Sequence, residues 1–160
     1  MTANPRLTVR AGRTTQTAAQ PRRTPAAARG GDRSPAVQPV RQVFGGTPDQ
    51  VAQARVFTRK VLGPVPVLDE VVLLVSELCA NAVLHTASGD GGSFEVAIWP
   101  GPSQVRVEVR DEGSEQEPAI SPVTPASTTG RGLQLVAALA ERWGYGGDRD
   151  ERVVFFQMRW

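Results

Sequence analysis

Glu77 and Asn81 stand four residues apart in Glu77-Leu78-Cys79-Ala80-Asn81, within a long apolar run. At helical pitch that spacing puts a carboxylate and an amide on one face, a turn apart. A carboxylate in apolar surroundings is costly without a cation or other partner, and an amide oxygen is a ligand for hard cations. Asp111-Glu112-Gly113 ends an alternating stretch with a hydrogen-bond acceptor and a glycine that admits a close backbone approach. Gly130-Arg131-Gly132-Leu133 opens an amphipathic run with two glycines around an arginine. Free N–H groups and the dipole at such a helix start favour anions. Each segment is weak alone. In this order they look like a nucleotide site.

Ordinary roles compete for each of these residues. Asp-x-Gly at a strand end is most often only a turn, and Gly-x-Gly lacks the βαβ surroundings of a dinucleotide fingerprint. Cys79 falls on the main apolar stripe and reads as core. His85 reads as a polar residue at the edge of the site, and Trp99, Trp143 and Trp160 as packing.

The elements that must position these residues follow from periodicity. Val40–Phe44 reads as a short strand ending at Gly45-Gly46. Thr47-Pro48-Asp49-Gln50 is a helix start, with Thr as N-cap, Pro in the first turn and Gln in the capping-box place. Gly63-Pro64 stops that helix. A second helix is expected from about Val67 to Thr86, with an apolar stripe of Leu68, Val71, Val72, Val75, Leu78, Cys79 and Ala82. Glu77, Asn81 and His85 run along the opposite side, flanked by Leu73, Leu74 and Leu84. Such a helix should be covered on both sides.

Phe94–Trp99 and Val105–Arg110 alternate at period two around Pro100-Gly101-Pro102-Ser103, which makes them a hairpin. The stretch between Gly113 and Gly130 has no periodicity and is expected to be a lid. Leu133, Val136, Leu139 and Trp143 then recur at helical spacing towards Gly144, and Arg152–Trp160 is β-rich. The order β-α-α-β-β-lid-α-β-β predicts an α+β two-layer sandwich, a mixed and mostly antiparallel sheet with helices on one face.

The chain of 160 residues carries a net charge of +2 that hides an asymmetry. Residues 1–42 hold eight arginines against one acid, Asp32, for +7, and the remainder carries −5. Residues 1–38 are rich in Thr, Ala, Pro, Gln and Arg with few large apolar side chains, so a disordered basic tail is expected, followed by one domain over 39–160. An acidic domain argues against direct nucleic-acid binding. A single cysteine excludes an internal disulfide and suggests a reducing compartment. No apolar run approaches the roughly 20 residues that span a bilayer, and the N-terminus lacks the apolar core of a secretory signal. A cytoplasmic protein without a membrane role is expected.

With these residues in place, residues 40–160 resemble the GHKL ATPase superfamily, and most closely its compact anti-sigma-factor serine/threonine kinases. Glu77 and Asn81 in "VSELCANAVLH" match the family's N box, Asp111 and Gly113 its G1 box, and Gly130 and Gly132 in "GRGLQLV" its G2 box. The resemblance implies a histidine-kinase-like fold that binds ATP with Mg²⁺. Asn81 would ligate Mg²⁺, Asp111 would accept from the adenine 6-amino group, and Gly113 would let the backbone approach the base. Gly130, Arg131, Gly132 and Leu133 would form the phosphate-binding helix start, and Glu77 would be the general base. The chain departs from the family pattern after Gly113, where Ser114-Glu115-Gln116-Glu117 stands in place of a second glycine.

The implied activity, in transcription regulation, is phosphorylation of a small antagonist protein on serine or threonine by a factor that also sequesters a sigma factor, and the resemblance implies a homodimer. The alternative is a regulatory module, with or without nucleotide, that transfers no phosphoryl group. A histidine kinase would need an acceptor histidine, and the one histidine of the chain, His85, lies inside the N box.

Overall fold

Alternating valines between charged residues build the centre of the sheet. In β4 (Gln104–Asp111) Val105, Val107 and Val109 are buried on one face while the residues between them are more open. In the computed structural model, which describes residues 8–11, 38–113, 131–147 and 150–160, β4 pairs with β3 (Ser93–Pro100) on one side and β6 (Arg152–Arg159) on the other. β2 (Val40–Gly45) flanks β3, and β5 (Arg142–Gly147) flanks β6. The outermost strand beyond β5 is β1 (Thr8–Ala11), which makes six strands in the order β1-β5-β6-β4-β3-β2. Every pairing among the described residues is antiparallel, so the sheet they form is less mixed than expected.

Three helices cover one face: α1 (Pro48–Leu62), α2 (Leu68–His85) and α3 (Arg131–Leu139). α2 presents Val71, Leu74, Val75, Leu78, Cys79 and Ala82 to Val96, Ile98, Val107, Val109 and Phe156 of the sheet in one apolar core. Removing most of a fully buried side chain there, such as Leu74→Ala, typically costs about 2–5 kcal/mol. At the β2 end Phe44 stacks on Phe94 at 5.4 Å and meets Phe57 of α1 edge-on at 5.9 Å. No described helix is long and apolar enough to cross a membrane.

Four expectations change. Thr47 has the extended backbone of an N-cap and Pro48 opens α1, but the Thr47 side chain makes no cap bond. Gln50 donates from its backbone to the Thr47 carbonyl and from its side chain to Asp49, so the capping box is not closed. Trp143 is not the end of a helix: α3 stops at Leu139, and Trp143 is buried from the strand β5. α2 is not covered on both sides, because Leu73 and Leu84 are exposed. Finally, Thr8–Ala11 pairs with β5 from within the segment expected to be structureless. The rest of that segment, the expected lid and Gly130 lie outside the described residues.

Candidate functional site

α2 carries Glu77 and Asn81 on the flank of its buried stripe, where both are half-buried. The start of α3 crosses them there. A Cβ placed on Gly132 would lie 3.0 Å from Asn81 Nδ2, 3.1 Å from Glu77 Cβ and 3.2 Å from Glu77 Oε2. Contacts that short require something to shift, so the missing side chain at 132 is what lets α3 approach. The first turn of α3, with its N–H groups and the positive end of its dipole, thus faces a carboxylate and an amide. Among the described residues neither Glu77 nor Asn81 has a polar side-chain partner. The structure therefore brings together Glu77, Asn81 and Gly132 from two segments over fifty residues apart. Arg131 is the first residue of α3. Leu133 packs into the apolar core at 6 % exposure.

Asp111 closes β4 on the same face of the sheet as Val105, Val107 and Val109, and is 5 % exposed. Gly113 has φ 70°, in the left-handed region that favours glycine. Its N–H donates to Asp111 Oδ1 at 2.9 Å, which folds the turn back on the acid. Arg152, directly opposite on β6, donates to Asp111 Oδ2 through Nε at 3.1 Å and Nη2 at 3.0 Å. Burial raises the Asp111 carboxyl above the usual carboxylate range, against the opposing pull of the Arg152 charge and the Gly113 N–H.

A polar network ties this turn to the end of α2. The Ala87 N–H donates to the Gly113 carbonyl at 3.1 Å, and the Glu112 N–H to Ser88 Oγ at 3.0 Å. Ser88 Oγ in turn donates to the Ser93 carbonyl at 2.6 Å. The Glu112 carboxylate accepts from Ser93 N and Oγ. The acid turn is thereby fixed relative to the helix that carries Glu77 and Asn81.

Sequence reasoning missed Arg152, Ser88 and Ser93. Arg152 could have been found only by pairing β4 with β6 in register. Ser88 sits in a single 3-10 turn and Ser93 opens β3, and no periodic signal marks either. Cys79 is fully buried and its thiol is pushed well up by burial, so it is core, as its stripe position suggested. His85, the last residue of α2, is exposed.

Among the described residues no group of three or more His, Cys, Asp or Glu is placed to hold a metal. An all-protein metal cage is thus absent from them. An amide, a carboxylate and a helix start side by side suit instead an anionic ligand that brings its own cation. Residues 44–158 match the family model of the histidine kinase-like ATPase domain. No curated protein matches the chain.

Proposed function

Because this chain belongs to the histidine kinase-like ATPase domain family, we propose that it binds ATP with Mg²⁺ and phosphorylates a small antagonist protein on serine or threonine, while sequestering a sigma factor. The observation that carries the reading is the meeting of Glu77, Asn81 and Gly132 at the start of α3. Phosphates would lie against the α3 N–H groups, which Gly132 lets come close to Glu77 and Asn81. Asn81 and Glu77 fit Mg²⁺ because they offer hard oxygens without competing partners among the described residues. Asn81 would hold the cation, which takes one or two protein ligands and completes its shell with water and phosphate oxygens. There the cation would supply charge neutralisation for the phosphates.

Glu77 is beside that point, half-buried, with its Oε2 near the α3 start. It suits the part of a base that takes the proton of an incoming serine or threonine hydroxyl. Asp111 and Gly113, locked to the end of α2, would receive the base. The partners follow from the resemblance to anti-sigma kinases and from an acidic domain that does not invite nucleic acid.

Calorimetric titration with MgATP tests the binding, and transfer of label from γ-³²P-ATP to small proteins encoded beside this one tests the kinase. MgATP binding without transfer to any such protein would leave a regulatory module that transfers nothing. No MgATP binding at all would remove the reading.

A further inference from the structure

Arg152 belongs to none of the segments that suggested a site, yet it is the residue most firmly attached to the acid of that site. Asp111 and Arg152 are cross-strand partners on the helix-covered face of the sheet. Their side chains are only 4 % and 11 % exposed. Two guanidinium N–H groups reach Oδ2, and the Gly113 N–H reaches Oδ1 at 2.9 Å. A carboxylate offers about four lone-pair positions. Among the described residues three are taken, and the one left is on Oδ1, so within them Asp111 can accept one further N–H without releasing Arg152.

The charged neighbours on β3 and β4 are held elsewhere. Among the described residues Glu112, next in the chain, is the one further charge that acts on Asp111, and its carboxylate is held by Ser93. On β3, Glu95 alternates to the opposite face and pairs with Arg41. On β4, Arg110 does the same and pairs with Glu151. The groups beyond α2 that join the acid turn, the Ala87 N–H and the Ser88 hydroxyl, are uncharged. Arg152 is thus the cation that answers a carboxylate whose burial favours the neutral acid. A buried ion pair is weak evidence for stability as such. Its effect on Asp111 is specific: it keeps an acceptor where a protonated carboxyl would present a donor.

We propose that Arg152 is a positioning residue for base recognition, holding Asp111 as an ionised acceptor with one Oδ1 position open to the exocyclic amino group of a purine. This rests on the nucleotide reading above.

The test compares the full chain with Arg152→Met and Arg152→Lys. The ligand-free carboxyl of Asp111 is titrated by ¹³C NMR, and affinity for MgATP and MgITP is measured between about pH 5.5 and about pH 8.5, a span in which free carboxylates no longer titrate. Arg152→Met removes the cation, so Asp111 should titrate at higher pH than in the wild type. Its MgATP affinity should be closest to wild type at the alkaline end. It should then fall by about tenfold per pH unit once the pH drops below the displaced titration. MgITP, which has a 6-oxo group in place of the amino group, should lose less, because a protonated carboxyl can donate to it. Thermal stability of Arg152→Met should run the opposite way. A raised native-state value favours the fold at low pH, and that advantage is lost as the pH rises through it. Arg152→Lys should recover much of the wild-type profile.

An equal loss of MgATP affinity at every pH, or an unmoved Asp111 titration, overturns the proposal for Arg152. A wild-type chain that binds no MgATP at any pH overturns the nucleotide reading itself.

Discussion

Among the described residues Glu77 and Asn81 present side chains without a polar partner across a bare glycine, whereas Asp111, at the other end of the candidate site, is held by three hydrogen bonds. The helix end is half-open and the sheet end is nearly sealed. An electrostatic group without a protein partner gains its main interaction only when ligand arrives, so changes there should cost function and little stability. A buried pair does much of its work before ligand arrives, so changes there should cost stability first. Mutations at the two ends therefore separate folding from chemistry.

The largest effect is expected from Glu77→Gln. It should slow phosphoryl transfer by roughly 10²–10⁴-fold while the melting temperature stays close to wild type, as read by single-turnover labelling alongside calorimetry. An unchanged rate would take Glu77 out of the chemistry. Asp111→Ala attacks the other end and strands the Arg152 guanidinium in a nearly sealed position. It should cost about 3–5 kcal/mol of stability, the usual consequence of breaking a buried pair from one side. Urea denaturation checks this, and a loss no larger than that of an exposed substitution would show that the pair is not sealed in solution.

Gly132→Val lies between the two cases, since that position serves the helix crossing and, in the proposed function, the phosphate site. Its Cβ would already crowd Asn81 and Glu77, and two further methyl groups follow. A cost of about 1–3 kcal/mol is expected, together with loss of nucleotide binding. Binding at wild-type affinity would place the phosphates elsewhere. The smallest effect should come from removing residues 1–38, which takes away only the four-residue edge strand β1 among the described residues. Stability should fall by about 1 kcal/mol or less, with faster hydrogen exchange confined to the β5 amides that face β1. A large global loss would show that the tail does more than edge the sheet.

Much of the fold was legible because its signals are local. The β3–β4 hairpin came from strict alternation, α1 from Thr47-Pro48 and α2 from its apolar stripe. The helix end of the site was legible for the same reason, since Glu77 and Asn81 are one turn apart. The sheet end was only half legible. Asp111 and Gly113 are adjacent in sequence, but Arg152 reaches them through the pairing of β4 with β6, forty-one residues away.

β5 was misread because Trp143 extends the helical spacing of Leu133, Val136 and Leu139, while three of the strand's six residues are glycines with poor strand propensity. The covering of α2 was overestimated because apolar flanks were counted as buried. Leu73 and Leu84 show that an apolar residue beside a polar line can remain at the surface.

The central claim is that the helix end holds Mg²⁺ with the nucleotide, and Asn81→Ala tests it most directly. ATP affinity is measured by calorimetry for the wild type and the variant, in Mg²⁺ and in EDTA, with stability followed in parallel. The account predicts Mg²⁺-dependent binding in the wild type and a stability change within about 0.5 kcal/mol in the variant. It also predicts a loss of affinity in Asn81→Ala that is large with Mg²⁺ and small without it. Equal losses in both conditions, or wild-type binding indifferent to Mg²⁺, would contradict it.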